Sequence, residues 1–174
     1  MILSGDKIIL RPIRMSDAHR FFIWMSDPNV NKYTTRKSLT LKEERKWIKG
    51  LSKRKNDKIF AIDTIDKVHV GSVGLHHIKK QDKNAVLGIF IGDKNYWDKG
   101  YGRDAITTLL NYSFNKLKLH RVELSVYDYN KRAINLYKKL GFKTEGKKRE
   151  HVFYKGKFYD EIQMGILRNE WPKK

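Results

Sequence analysis

The stretch AVLGIFIGDKNYWDKGYGRD, residues Ala85–Asp104, joins an apolar strand pattern to a glycine-spaced turn and the start of a helix. The strand pattern covers Ala85–Ile91, and Gly100 and Gly102 stand where the helix begins. Backbone N–H groups in the first turn of a helix lack intrahelical acceptors, and the helix dipole makes that end positive. Glycines let a ligand approach the backbone closely. The stretch is therefore a candidate phosphate or pyrophosphate site, although similar spacing also serves packing at strand–helix turns.

Length and composition predict one globular domain. The chain has 174 residues, of which 40% are hydrophobic and 12% aromatic, enough to bury a core. It contains no run of about 18 apolar residues, so we expect no membrane association, and the charged N-terminal segment MILSGDKIIL is a poor signal peptide. The lack of cysteine excludes disulfides, thiolate metal ligands and a cysteine nucleophile. We expect a cytoplasmic protein whose residues 1–174 form a single domain without a metal ion.

The chain is strongly basic. Lys and Arg number 38 against 19 Asp and Glu, a formal net charge of +19, and the basic residues are densest in Arg36–Lys58. One interpretation is a solvated helix face in a lysine-rich protein. The others are an acidic partner, a phosphorylated ligand or nucleic acid. The net charge itself predicts non-specific affinity for polyanions, and association with the ribosome is compatible with it. No recognisable nucleic-acid-binding motif accompanies the charge.

The first half of the chain predicts two helices and an antiparallel meander. Ser16-Asp17 supplies N-cap residues for the first helix, which Asp27-Pro28-Asn29 ends, and Thr40–Glu43 reads as a capping box for the second. The connections between the strands that follow are short, which favours antiparallel pairing. The predicted strands are Lys7–Leu10, at an edge of the sheet, then Ile59–Thr64, Val68–Ile78 and Ala85–Ile91.

The second half predicts a parallel crossover followed by a closing hairpin. Its elements are a helix over Gly102–Lys116, a strand over Arg121–Val126, a helix over Lys131–Leu140 that Gly141 ends, and a hairpin over Lys143–Leu167 turning at Lys155-Gly156. The predicted fold class is therefore α+β. We expect a mixed, mostly antiparallel twisted sheet of about seven strands with about four helices.

Four passages of the chain occur together in the order and spacing of one enzyme superfamily. They are Leu10-Arg11-Pro12 with Ser16-Asp17-Ala18; YWDKGYGRDA at Tyr96–Ala105; Asn130 with Ala133-Ile134, LYKKLGF at Leu136–Phe142 and Glu145-Gly146; and GKFYD at Gly156–Asp160 with Met164. In this combination the chain resembles the GCN5-related N-acetyltransferase (GNAT) superfamily. It is most similar to the branch of ribosomal-protein N-terminal and spermidine/spermine N-acetyltransferases. The resemblance implies a sheet that splays between the fourth and fifth predicted strands.

The resemblance also implies acetyl-CoA as the co-substrate. The splayed strand would pair with the pantetheine amides, and the glycine turn would hold the pyrophosphate. Trp97 departs from the family pattern, which usually has Gln or Arg three residues before the first loop glycine. The residues to which the resemblance assigns cofactor binding are Ile89, Phe90, Ile91, Gly92, Trp97, Asp98, Lys99, Gly100, Tyr101, Gly102, Arg103, Asn130, Ala133 and Lys138.

Tyr137 is the residue that the resemblance assigns to catalysis. Its phenol would protonate or hydrogen-bond the departing CoA thiolate. With reference pKa values of about 10 for tyrosine and about 8.5 for a thiol, complete proton transfer is uphill, so hydrogen bonding alone is an equal alternative. Without the resemblance, a core tyrosine on an amphipathic helix would be the favoured interpretation.

The sequence leaves the proton acceptor open. An attacking amine must lose a proton, and Glu123, His76 or a water molecule could receive it. Of the pair His76-His77, strand alternation would allow only one to face a site.

The acceptor amine is expected to be a protein N-terminal α-amine. At pH 7 roughly 10% of such amines are neutral, against roughly 0.04% of lysine-type amines, and the net charge of +19 would repel a polyamine. The alternatives are a small amine such as a polyamine or aminoglycoside, or a non-catalytic module that binds acetyl-CoA or polyanions. A homodimer is compatible with all of these.

Overall fold

The structure is a computed structural model that describes residues 1–34 and 40–172. Eight strands of the described residues form one sheet in the order β1-β2-β3-β4-β5-β6-β8-β7, and only β5 and β6 are parallel. The strands are β1 Leu3–Ser4, β2 Ile8–Pro12, β3 Lys58–Thr64, β4 His69–Lys79, β5 Asn84–Ile91, β6 Arg121–Tyr127, β7 Lys143–Tyr154 and β8 Lys157–Leu167. The predicted α+β class and mostly antiparallel sheet are confirmed.

The eighth strand corrects one detail of the prediction. Leu3 and Ser4 pair with Leu10 and Ile9, so the strand expected at the edge of the sheet has a two-residue neighbour outside it. A two-residue strand has no periodicity to detect, because alternation needs at least four positions. The extra pairing covers only part of β2.

The described residues form five α-helices, one more than expected. They are α1 Ala18–Ser26, α2 Pro28–Asn31, α3 Leu41–Gly50, α4 Tyr101–Asn111 and α5 Lys131–Lys139. The additional helix is α2: Asp27-Pro28-Asn29 starts a new turn as well as ending α1, because the Asp27 carboxylate accepts the Asn29 N–H at 2.8 Å. The Thr40–Glu43 capping box is confirmed. No described helix has the length and apolar character needed to cross a membrane.

The parallel pair β5–β6 opens shortly after it begins. Within the described residues, β5 pairs with β6 only over Asn84–Val86, opposite Arg121–Glu123. Beyond Val86 the two strands diverge, so the backbone of Leu87–Ile91 has no strand beside it on that side. This confirms the predicted splay, which lies between the fifth and sixth strands once β1 is counted.

Helices pack on both faces of the sheet. Strand alternation sends Ala85 and Leu87 into the larger apolar core with α4 and α5, whereas Phe90 packs with α1 and α3. Gly92 ends this strand against Trp24 of α1, and a Cβ there would lie 2.1 Å from the indole. The two cores therefore hold β5 from both sides while its edge toward β6 stays open.

A buried ion-pair network joins β2, β3 and the start of α1. Arg11 donates from Nε to Asp63 at 2.6 Å and from its terminal nitrogens to Asp17 at 2.8 and 2.9 Å. The Asp17 carboxylate also accepts the Arg14 N–H. Ser16-Asp17 predicted a side-chain cap for α1, but the Asp17 side chain does not form one, because its carboxylate binds Arg11 instead. Partnered in this way, these charges can be buried.

Candidate active site

A cleft of about 1050 Å³ opens where β5 and β6 separate. Part of its lining comes from β5, the turn before α4 and one side of α5. The rest of its lining comes from β4, the chain around Tyr33, β6 and β8, and this group of residues is called the second compartment below. The predicted anion site and the second compartment therefore line the same cleft.

The turn before α4 has the geometry of an anion site. Gly100, the N-cap of α4, has φ of +87°, a value that favours glycine, and Asp98 is also left-handed at φ +58°. The first-turn N–H groups of Tyr101, Gly102 and Arg103 precede the first intrahelical bond, from Asp104 N–H to Gly100 carbonyl. A pyrophosphate fits this cradle, with the positive end of the helix dipole behind it.

Two contacts from the N-terminal segment hold this turn in place. The Asp104 carboxylate accepts the backbone N–H groups of Lys7 and Ile8 at 2.7 and 3.2 Å. The Lys7 ammonium donates to the Lys99 carbonyl at 3.1 Å. The turn is therefore tied to β2, although the sequence separation of more than 90 residues hides that contact from sequence analysis.

Trp97, the departure from the family pattern, has a structural role at the end of β5. Its indole N–H donates to the Ile91 carbonyl at 2.8 Å. The Arg132 guanidinium lies 4.2 Å from the ring centroid and 3.4 Å from the Asp98 carboxylate. Through this cation–π contact, Trp97 holds a cation of α5 beside the anion turn.

Asn130 serves as the N-cap of α5. Its side-chain oxygen accepts the Ala133 N–H at 3.2 Å, and both residues line the cleft. The Asn130 Nδ2 group is therefore the part of this side chain that can serve a ligand.

Tyr137 lies on α5, 7% exposed, and lines the cleft. Burial raises its pKa to about 12. Its ring packs edge-on against Phe142 with centroids 5.8 Å apart, and its hydroxyl takes part in none of the hydrogen bonds found among residues 1–34 and 40–172. A neutral phenol with an uncommitted O–H is suited to donate a hydrogen bond to an anion in the cleft.

Most of the predicted cofactor residues meet in this cleft. Those that line it are Ile89, Phe90, Ile91, Trp97, Asp98, Gly100, Gly102, Arg103, Asn130 and Ala133. Four of the predicted residues do not line it. Gly92 lies against Trp24, and the Lys99 carbonyl accepts a hydrogen bond from the Lys7 ammonium. Tyr101 packs on the Tyr96 ring with centroids 5.1 Å apart, and Lys138 is exposed elsewhere on α5. Arg132 and Lys139 supply cations to the lining.

The two protein candidates for the proton acceptor differ in their placement. His76, Val86 and Glu123 are register partners across β4, β5 and β6 and share one face of the sheet. His76 lines the cleft, whereas Glu123 is outside the lining and its carboxylate accepts the Arg121 Nε–H at 3.0 Å. His77 also reaches the cleft, because its φ of 51° breaks the alternation that would have turned it away.

The second compartment is aromatic and carries a buried carboxylate. Its side chains include Tyr33, Trp47, Tyr127 and Glu161. Glu161 is 7% exposed, and its carboxylate accepts a hydrogen bond from the Lys148 ammonium at 3.0 Å. Burial, and then the charge of Glu161, raise the pKa of Tyr127.

This compartment could not be predicted from the sequence, because its residues come from distant segments of the chain. Tyr127 and Glu161 are register partners on β6 and β8, a pairing that became predictable only with the strand order. Tyr129 extends the cluster, contacting the rings of Tyr33, Tyr127, Tyr154 and Tyr159 at centroid distances of 4.8–6.2 Å. In the described part of the chain, no three His, Asp or Glu side chains converge as a metal site would require.

Known proteins resemble this chain over most of its length. The profile of the acetyltransferase (GNAT) domain family matches residues 7–143. An uncharacterized N-acetyltransferase, p20, of Bacillus licheniformis is 29% identical over 175 residues, covering 97% of each chain. Spermidine N(1)-acetyltransferase of Vibrio cholerae is 32% identical over 115 residues, 66% of each chain. The crystal structure of the spermidine N-acetyltransferase from Vibrio cholerae in complex with CoA and spermine matches with a TM-score of 0.87 and 26% identity, covering 94% of this chain and 96% of that one.

Proposed function

This chain belongs to the acetyltransferase (GNAT) family, and from that premise we propose that it transfers an acetyl group from acetyl-CoA directly to a primary amine of a small molecule of the polyamine class. The observation that carries the proposal is the cleft at the β5–β6 split, where an anion turn, an unpaired strand edge and Tyr137 meet a compartment containing a buried carboxylate.

The chain's own residues fit acetyl-CoA. When bound, acetyl-CoA supplies a thioester whose carbonyl carbon accepts the amine and whose thiolate leaves. The first-turn N–H groups of α4 would hold the pyrophosphate, and the open edge of Leu87–Ile91 would pair with the amides of the pantetheine arm. Asn130 and Arg132 would add a donor and a cation from α5.

Tyr137 would stabilise the leaving thiolate through a hydrogen bond. Its pKa of about 12 exceeds the roughly 8.5 of a thiol, so complete proton transfer would be uphill by about 5 kcal/mol. A donated hydrogen bond avoids this cost, because the proton stays on the tyrosine. It still stabilises the negative charge that would develop on the sulfur. Most of the rate enhancement would come from holding the amine and the thioester in reach of one another.

Local charge supports a cationic small acceptor against the expectation from net charge. The carboxylate of Glu161 and the rings of Tyr33 and Tyr127 suit an ammonium group, through ion pairing and cation–π contact. Lys148, whose side chain is 48% exposed, is the partner that an acceptor ammonium would replace on Glu161. Spermidine N-acetyltransferases of Vibrio cholerae are close in fold, which supports the same class of acceptor.

A thiol-release assay with a panel of amines tests the proposal. We expect turnover with spermidine or spermine at least tenfold faster, in kcat/KM, than with a peptide carrying a free N-terminal α-amine. Faster turnover of the peptide would instead favour a protein N-terminus. Binding of acetyl-CoA without release of thiol for any amine would contradict enzymatic activity.

Substitution of Glu161 tests its part in acceptor binding. We expect Glu161→Gln to raise KM for the polyamine about tenfold with little change in the affinity for acetyl-CoA, since a buried charge-assisted contact is lost. Glu150→Gln is the matched control, because Glu150 is an exposed carboxylate on the same hairpin. Equal KM values for Glu161→Gln and the wild type would refute the assignment.

A further inference from the structure

His76 is placed where the edge of β5 becomes free. It pairs in register with Val86, the last residue of β5 that also pairs with β6. A Cβ on Gly88 would lie 3.2 Å from the His76 Nε2 atom, so Nε2 faces β5 two residues into the open edge. The imidazole is therefore inside the cleft, beside the strand proposed to pair with the pantetheine arm.

The other ring nitrogen of His76 faces a carboxylate. Its Nδ1 lies 3.6 Å from the Asp57 carboxylate, whose side chain is only 13% exposed. Asp57 is itself fixed, because it accepts the His77 backbone N–H at 3.0 Å and lies 3.6 Å from the Arg54 guanidinium. A carboxylate on Nδ1 favours the tautomer in which Nε2 carries no proton and can accept one.

Burial favours the neutral form of His76 at pH 7. Burial lowers its pKa below the ordinary 6.5, Asp57 raises it, and His77 and Arg54 lower it. The net direction is downward. An imidazole in this state can take a proton at neutral pH.

We infer that His76 accepts the proton of the attacking amine through Nε2, and that Asp57 is a positioning residue that orients the imidazole through Nδ1. This inference rests on the proposed amine acetylation. It selects among the three acceptors that the sequence left open, since Glu123 is occupied by Arg121 outside the cleft lining.

Two protons leave the acceptor nitrogen in the proposed step. The acceptor ammonium gives one proton to His76 Nε2, and the nitrogen lone pair forms the N–C bond to the thioester carbonyl carbon. The C–S bond breaks with its electron pair on sulfur, and the second proton of the nitrogen neutralises that sulfur. The products are an amide, the CoA thiol and one proton that His76 returns to solvent.

Kinetics against pH test His76 directly, with the amine that the panel shows to be acetylated fastest. We expect His76→Gln to lower kcat about 100-fold, within the range of general-base effects, and to remove the acidic limb of the kcat/KM profile. The affinity for acetyl-CoA, measured by calorimetry, should change less than threefold. His120→Gln, at an exposed histidine between α4 and β6, is the matched control and should retain the wild-type profile.

Asp57→Asn tests the positioning role through the pH dependence of the reaction, which would not change if Asp57 served only to stabilise the fold. Loss of the carboxylate should lower kcat about fivefold and shift the acidic limb to lower pH, because Asp57 raises the pKa of His76. The same shift should appear in the NMR titration of the His76 imidazole without substrates.

Two outcomes would overturn the inference. One is an active wild-type enzyme whose kcat and pH profile are unchanged in His76→Gln. The other is an NMR titration of His76 that Asp57→Asn does not move. If no amine in the panel is acetylated by the wild type, the proposed function fails instead, and the NMR titration still decides whether Asp57 controls His76.

Discussion

Burial decides the chemistry available to single residues of this cleft. Desolvation raises the pKa of Tyr137 to about 12, which makes loss of its proton harder and favours hydrogen-bond donation over proton transfer. Trp97, which departs from the family pattern, holds the end of β5 and the Arg132 guanidinium. The sequence named both residues, but it could not state the pKa of the first or the partners of the second.

Removal of the Tyr137 hydroxyl should reduce turnover and leave binding intact. We expect Tyr137→Phe to lower kcat about 10- to 100-fold, since one hydrogen bond to the thiolate is lost, with a change in acetyl-CoA Kd below twofold. Thiol release and calorimetry measure the two quantities. Tyr112→Phe, at another buried tyrosine that does not line the cleft, is the control. Unchanged kcat in Tyr137→Phe would show that the hydroxyl has no catalytic role.

The buried carboxylate Asp17 should make stability depend on acidic pH. Burial raises its pKa, but hydrogen bonds from Arg11 and Arg14 outweigh burial and hold the pKa below its usual value. The ionised form therefore stabilises the fold above about pH 4, and this contribution is lost as pH falls through the folded-state pKa.

Urea unfolding of Asp17→Asn checks this dependence. At pH 7 we expect a loss of about 3 kcal/mol, because Arg11 keeps only one of its two carboxylates, and a smaller difference from the wild type near pH 3. Asp66→Asn, at an exposed carboxylate in the β3–β4 turn, should cost less than about 0.5 kcal/mol. A difference that stays constant from pH 7 to pH 3 would contradict the predicted linkage.

At the scale of elements, the β5 strand and the N-terminus of α4 form one unit. The two cores hold β5 in place, its pairing with β6 stops at Val86, and the Gly100 turn directs the first N–H groups of α4 toward the same cleft. The strand and the glycine turn of this unit were predictable from Ala85–Asp104, because both are local signals, whereas the separation of β5 from β6 was implied by the family resemblance. The anchoring of the turn by Lys7 and Asp104 could not be predicted, because these contacts join segments more than 90 residues apart.

The conformation of the Gly100 turn should matter for binding more than for stability. Gly100→Ala forces a Cβ onto φ +87°, at a cost of about 1 kcal/mol, and should raise the acetyl-CoA Kd five- to twentyfold because the turn N–H groups move. Gly156→Ala is the matched control: Gly156 also has a positive φ, +78°, with no atom within 4 Å of a Cβ. Calorimetry gives Kd, and urea unfolding gives the stability of each variant. Equal Kd values for the two variants would argue against an anion site at Gly100.

For the molecule as a whole, net charge and local charge point in different directions. The formal charge of +19 led to the expectation that a polyamine would be repelled. The compartment that contains Glu161 and the tyrosines favours a cation nonetheless, because a buried carboxylate acts at short range while exposed lysines are screened by salt. Arg36 and Lys37, which begin the basic stretch, lie outside the described residues.

Binding of RNA should reflect the total charge and no dedicated surface. We expect affinity for poly(U) to fall steeply between 50 and 200 mM salt, through release of counterions. Two triple variants to Gln should each lower the salt slope by about 3. One changes Arg45, Lys46 and Lys49 on α3; the other changes Lys79, Lys80 and Lys83 around the β4–β5 turn. Loss of binding in the α3 variant alone would instead identify α3 as a nucleic-acid surface.

The sequence by itself determined the order of the main elements and the glycine turn, because periodicity, caps and glycine spacing are local signals. The splayed strand and the role of Tyr137 were implied only by the resemblance of its motifs to a known family. Only the tertiary structure decided which side chains share the cleft. His76 meets Asp57 and Gly88, and Tyr127 meets Glu161, through pairings between strands whose register no local pattern specifies. Burial, which raises the pKa of Tyr137 and encloses Glu161, likewise exists only once distant segments have packed together.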